Sequence, residues 1–217
     1  MAVLGISSAT KMISAGLAEE GKILAEISVS GKEAFTEDLM VFIDKLVKES
    51  GKKFNAVAVT QGPGAYAGLR GGLAVAKTLC QTLKLPLVGV STLEAIAYNL
   101  IDITCTAAVI TDSRSDEYNF ALFTSNGGII SRLTDDLVLT QERIVDLLSQ
   151  VTGTLYLAGN TSGIPETGAI EVANSQPWAG LVAILGEKKL AQGQLDDPLR
   201  LTPRYSHIPN IREWKKK

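Results

Sequence analysis

The stretch TQGPGAYAGLRGGLAVAKTLCQTLKLP, residues 60 to 86, places Gly62, Pro63, Gly64, Gly68, Gly71 and Gly72 behind an apolar run and at the opening of a helical pattern. Two kinds of chemistry fit such a loop. A strand that ends in a glycine turn and opens a helix aims free N–H groups at an anion, so the loop could hold phosphate. The same glycines permit a tight turn and close packing of the helix on its neighbours. Gly62, Gly64 and Ala67 satisfy the looser dinucleotide pattern GxGxxA, but the next strand, PLVGVST, lacks the acidic residue that pattern needs to hold a ribose. A Walker loop is not present either: ahead of Lys77 and Thr78 the required glycine is Ala76, and helical periodicity is already running. Arg70, in the first turn of this helix, opposes the positive end of the macrodipole. A carboxylate, a carbonyl cluster or a partner's acidic group should compensate it.

Other reactive residues are sparse. His207 is the single histidine and lies in PRYSHIPN, so no Ser-His-Asp set assembles from the sequence. Cys80 and Cys105 stand alone without CxxC spacing, which points to small core residues in a reducing compartment and to no metal site. Asp135 with Asp136, and Asp196 with Asp197, fall in turn-like segments and read as solvated surface charge. With 21 Lys and Arg against 23 Asp and Glu, the net charge of -2 supplies no field to hold a polyanion. The basic tail REWKKK, with Trp214 beside Lys215, Lys216 and Lys217, is read as a frayed terminus. The start, MAVLGISSATKM, lacks a basic leader, and no stretch reaches membrane-spanning length, so a cytoplasmic protein without membrane contact is expected.

The elements that must position these residues follow one rhythm, twice. AVLGISSAT (2–10), MISAGLAEE (12–20) and KILAEISVS (22–30) read as three strands. Phe35, Leu39, Phe42, Ile43, Leu46 and Val47 recur at helical spacing, with Ser30 and Glu33 as a capping box and Gly51 as a stop; FNAVAVT (54–60) is then a strand buried on both faces. The glycine-loop helix, the strand PLVGV and a helix capped by Ser91 and Glu94 complete the first half. The second half restarts with TCTAAVITDSR and EYNFALFTS, turns at Asn126, Gly127 and Gly128, and runs through IISRLTDDLVL as a third strand. A helix carrying Ile144, Val145, Leu147 and Leu148 follows, then the strand TLYLAGN, and QPWAGLVAILGEKKLAQG as a last helix expected to pack on the second half. The predicted domains are 1–101 and 102–217 of an α/β protein. The duplicated β-β-β-α-β-α order resembles the actin-like (ASKHA) fold of actin, sugar kinases and heat-shock ATPases.

ATP-hydrolysing proteins of that fold place carboxylates at the hairpin opening each half, where they hold a metal or polarise water. Here the first hairpin has Ser7, Ser8 and Thr10, and only the second has a carboxylate, Asp112. Asp112 is therefore either a loop cap or half of a nucleotide site. A nucleotide-binding protein using the 62–68 loop remains the alternative to an assembly subunit.

The block AVTQGPGAYAGLRGGLAVAKTLCQTLKLPLVGVSTLEAIA (58–97) closely resembles the TsaB (YeaZ) family, whose hallmark reads GPGSFTGLR before a small-residue helix and a VSTLEALA-like stretch. FTEDLMVFI is similar to that family's HSExLLPxI helix, TDSRSDEYNFALF to its D-A-R-x-x-E-V-Y segment and PRYS to its P-x-Y-L. The resemblance spans nearly the whole chain. It implies a non-catalytic relative of TsaD that pairs with TsaD and, with the ATPase TsaE, supports threonylcarbamoyl transfer to the adenosine beside the tRNA anticodon. It also implies a homodimer in isolation, tRNA contact only through the complex, no cofactor of its own, and ATP and a divalent metal used by the partner subunits. The implied interface is Phe35, Leu39, Phe42, Ile43 and Leu46 on one helix and Leu73, Val75 and Ala76 on the next, with Gly62, Pro63, Gly64, Gly68 and Arg70 as the family's loop. The sequence departs from the family where Ala65 and Ala67 replace Ser and Thr, Ser7 replaces Asp, Phe35 replaces His and Val41 replaces Pro.

Overall fold

The structure, a computed structural model, describes residues 1–30 and 36–207. Phe35, Glu33 and the basic tail with Trp214 lie outside them. The first three strands, β1 (Val3–Ser7), β2 (Met12–Glu19) and β3 (Lys22–Ser30), form an antiparallel meander. A 3-10 turn (Thr36–Asp38) leads into α1 (Leu39–Ser50), which stops where Gly51 adopts a left-handed conformation. Then come β4 (Ala56–Gly62), α2 (Tyr66–Leu83), β5 (Leu87–Ser91) and α3 (Thr92–Ala97). The sheet order is β3-β2-β1-β4-β5, with β4 and β5 parallel to β1. Strands β1 and β4 lie in the middle and are covered on both faces, which is why they read as near-continuous apolar runs.

The second half repeats the plan with β6 (Cys105–Asp112), β7 (Glu117–Asn126), β8 (Ile129–Arg132), β9 (Leu137–Thr140), α4 (Gln141–Ser149), β10 (Leu155–Gly159) and the short β11 (Ile170–Glu171). Its sheet runs β11-β10-β6-β7-β8, and β9 also pairs with β7. The single strand expected over 129–139 is thus two. Thr134 turns the chain between them, its hydroxyl accepting from the Leu122 N–H at 3.0 Å, so β8 pairs with the C-terminal part of β7 and β9 with its N-terminal part.

The last helix, α5 (Ala179–Ala191), corrects the expected domain division. It packs on β1, β2 and β4 of the first sheet, not on the second half, with Val182, Ala183, Ile184 and Leu185 joining a core with Val3, Ala56, Ala58, Val88 and Val90. A Cβ on Gly5 would overlap the Ala179 carbonyl, and Gly16 admits Gly180 in the same way, so two strand glycines create the seat for this helix. Conversely α3, which ends the first half, packs Leu93, Ile96 and Ala97 against Ala107, Val109 and Phe123 of the second sheet. The two halves therefore exchange their last helices. The 101/102 boundary separates the sheets but not the cores.

Candidate functional site

Three places were marked by the sequence: the α1–α2 pair, the glycine loop and Asp112. The helix pair comes out with its apolar stripe turned inward. Leu39, Ile43 and Leu46, at i, i+4 and i+7, are 0, 4 and 2% exposed and pack with Leu4, Ile6, Leu17, Val57 and Val59; Leu73 and Ala76 join the same core. These five residues cannot be presented to a partner by the folded chain, which corrects their assignment to an interface. Phe42 and Val75 sit half-buried at the rim. Facing outward instead are Met40 and Val41, 47 and 63% exposed, and on α2 the small residues Ala67 and Ala74 with Thr78. The other small residues of α2 serve the chain itself. Gly71 makes room for Thr36, and Gly72 for the Ser8 hydroxyl.

The glycine loop is packed tightly onto the first hairpin. A Cβ on Gly64 would overlap the Ala9 carbonyl, one on Gly68 the Ser8 carbonyl and one on Gly62 the Arg204 carbonyl. The Ala65 N–H, one of the donors at the start of α2, donates to the Ala9 carbonyl at 2.8 Å. The Ser8 hydroxyl donates to the Gly68 carbonyl at 2.8 Å. Pro63 is buried within this contact. Among the described residues Arg70 meets neither a carboxylate nor a carbonyl: its Nη1 donates to the Tyr66 hydroxyl at 2.7 Å, and the guanidinium lies 5.3 Å from that ring's centre.

A cleft of about 790 Å³ separates the halves in front of this loop. Among the described residues, Asp112 is the only carboxylate in its lining, and it lies at the end of β6 with both oxygens accepting from Asn160 Nδ2, at 2.8 and 2.9 Å. The cleft also contains residues that sequence reasoning left apart. Tyr205 stacks on Tyr66 with centroids 4.8 Å apart and planes at 27°. Burial, reinforced by Tyr66 and opposed by Arg70, pushes the Tyr205 phenol above its ordinary value. His207 Nε2 lies 3.0 Å from Ser113 Oγ and 3.3 Å from Glu117 Oε2. This is not a hydrolytic triad, because the acid and the hydroxyl meet the same ring nitrogen, whereas a relay needs the acid on the opposite one. No periodicity marks residues 201–207, so no signal in the sequence placed them here.

The cysteines are core residues. Burial pushes the Cys80 thiol up to about 11 and raises that of Cys105, so neither is a reactive thiolate near neutrality. Among the described residues no group of three His, Cys, Asp or Glu side chains could share a metal ion, and no helix is long and apolar enough to cross a membrane.

Two sheets, each opening with an antiparallel meander and continuing through parallel crossovers about a central cleft, define an actin-like ATPase-fold protein; the ROK hexokinase of Thermus thermophilus superposes over 87% of this chain and all of its own at a TM-score of 0.51 and 15% identity. The structure of YeaZ from Pseudomonas aeruginosa matches much more fully, at a TM-score of 0.80 and 21% identity, covering 94% of this chain and 99% of its own. The tRNA threonylcarbamoyladenosine biosynthesis protein TsaB of Bacillus subtilis (strain 168) is 23% identical over 93% of this chain and 95% of its own length. The family model described as TsaD, tRNA N6-adenosine threonylcarbamoyltransferase, matches residues 22–176. The chain belongs to this TsaD family, and within it to the TsaB (YeaZ) group.

Proposed function

We propose that this chain is a TsaB-type subunit of threonylcarbamoyladenosine synthesis, which docks onto a TsaD-type enzyme through the outer faces of α1 and α2 and performs no transfer chemistry alone. The observation that carries this reading is the division of the helix pair into two faces. Its inner stripe is filled by the chain's own core, while its outward faces offer Met40 and Val41 on α1 and the small residues Ala67 and Ala74 on α2. Large apolar anchors next to small side chains let a second helix approach closely, and burying such anchors contributes strongly to pairing. The relatives named TsaB supply the process. The glycine loop fits the subunit reading too, since its glycines seat the first hairpin's carbonyls and one of its helix-opening N–H groups is bonded to Ala9.

The direct test is reconstitution of this chain with TsaD, TsaE, threonylcarbamoyl-adenylate and unmodified tRNA. Modification should depend on the chain, and modification indifferent to it would refute the role. Val41→Glu and Ala74→Glu should each weaken association with TsaD by about 2 kcal/mol or more, because they force a charge into a dry contact. The same substitutions should leave the melting temperature of the free chain nearly unchanged, since both sites are exposed. Calorimetry with Mg-ATP addresses the competing nucleotide reading: binding to the free chain that Asp112→Ala abolishes would favour it.

A further inference from the structure

Residues 201–207 belong to no helix or strand, yet they cross from one half to the other. They start in the first half. Leu201 is buried in its core, the Leu201 carbonyl accepts from Lys77 Nζ at 3.0 Å, and the Thr202 carbonyl accepts from Gln61 Nε2 at 2.9 Å. The Arg204 N–H donates to the Gln61 carbonyl at 2.8 Å, and Tyr205 lies on Tyr66. Immediately afterwards the partners change side. The Ser206 hydroxyl donates to Asn119 Oδ1 of β7, and His207 meets Ser113 and Glu117 at the turn between β6 and β7. Tyr205, Ser206 and His207 thereby form part of the cleft's own wall.

Such a segment differs physically from the sheets it joins. Its ties are side-chain contacts and isolated hydrogen bonds, without a ladder and without an apolar face after Leu201. Local opening of a structure of this kind costs less free energy than unfolding either core. Its attachment points are nevertheless on both walls, so opening it removes contacts that hold those walls at a fixed separation. The halves are also joined through α3 and α5, which pack against each other between the two sheets, and Thr10 meets Gln176 within the cleft lining, so residues 201–207 are the tie among these that no sheet or helix supports.

We propose that residues 201–207 are an intramolecular latch: closed, they tie the two halves together and complete one side of the cleft; released, they leave the cleft wider while both sheets remain folded. Two states of the same chain then differ in whether Tyr66 is covered by Tyr205, and any molecule that binds the open cleft better than the closed one would shift the balance between them.

Hydrogen exchange on the full chain, without any partner, tests this. The wild type is compared with the double variant Tyr205→Ala/Ser206→Ala and with Tyr205→Phe, which keeps the stacking ring. A latch requires the double variant to exchange about tenfold faster on both walls, over 61–66 and over 113–119, while the amides of β1, β4 and β6 keep their wild-type protection. Tyr205→Phe should match the wild type. Acceleration restricted to 201–207, or none at all, overturns the proposal, since the segment would then be a passive tail. If the double variant also loses protection in the central strands, Ser206→Ala alone, which removes one hydrogen bond, is judged by the same pattern across the two walls.

Discussion

The two halves open with the same device and put it to different use. In each, the chain leaving a parallel strand is fastened by a backbone bond of 2.8 Å, in the first half from the Ala65 N–H to the Ala9 carbonyl in the β1–β2 turn and in the second from the Asn160 N–H to the Ile110 carbonyl within β6. In each, a glycine makes the approach possible: Gly64 against Ala9, Gly159 against Ile110. The side chains then diverge. Ser7 and Ser8 of the first hairpin are fully buried, and among the described residues the Ser7 hydroxyl has no hydrogen-bond partner. Asp112, at the corresponding end of β6, is exposed to the cleft and held by Asn160. A two-sided metal site needs carboxylates on both walls. Among the described residues the first half lines the cleft without a carboxylate, and only the second places one, Asp112, where it can face a ligand.

The largest expected effect probes how the exchanged helices are seated. Gly5→Ala should destabilise the chain by about 3 kcal/mol or more, because the added carbon meets the backbone of α5 and not a side chain that can move aside. On the second sheet, Ala107 already packs beneath α3, so Ala107→Gly should cost only about 1 kcal/mol. Urea unfolding of both variants measures the contrast, and equal losses would show that the two seats are equivalent. A somewhat smaller effect separates the two hairpins. Ser7→Asp restores the residue type found in the family but places an unpaired carboxylate in a fully buried position, which should cost about 2–3 kcal/mol at neutral pH. Ser7→Ala should be neutral or stabilising by up to about 1 kcal/mol, since it removes a hydroxyl that bonds to none of the described residues. A cost from Ser7→Ala comparable to that of a satisfied serine would mean that a water fills this position and that the first wall is still polar.

The rhythm of strands and helices was legible because period 2 and period 3.6 mark which side of an element is apolar. The stop at Gly51 and the cap at Ser91, whose hydroxyl accepts from the Glu94 N–H at 3.3 Å, were legible from local chemistry. What covers an apolar face was not. The stripe Leu39, Ile43, Leu46 gives the same signal whether it meets the chain's own sheet or a partner, and only the fold turned it inward. Helix α5 is buried nearly all round over its first two turns, so its pattern named no sheet as its neighbour. The glycines Gly5 and Gly16, read as ordinary strand residues, carried that information, but only pairing them in space with Ala179 and Gly180 exposes it. The two-residue β11 and the segment 201–207 have no period to detect.

The finest test of the comparison concerns how each exchanged helix is capped. The first N–H groups of α3 are served by a neutral hydroxyl, Ser91. Those of α5 are served by a carboxylate: Glu26 of β3 accepts from the Ala179 and Gly180 N–H groups, each at 3.1 Å, and Ser14 accepts from Ala179 as well. Burial raises the Glu26 pKa above the usual carboxylate value of 4.5, and the two backbone bonds offset that only in part. The native state therefore holds this proton more firmly than the unfolded chain does. Stability from Glu26 is fully present below the unfolded value and is lost as pH rises through the native one. Glu26→Gln removes the titration while keeping an acceptor for one of the two N–H groups. Measured by urea midpoints between pH 4 and pH 7, the Gln variant should gain on the wild type as pH rises, with the change beginning near the unfolded carboxylate value. Curves that stay parallel over this range would mean that the helix dipole and its two N–H donors fully compensate the burial. In that case the charged cap of α5 and the neutral cap of α3 would be energetically equivalent, and the first half's seat would differ from the second's in shape alone.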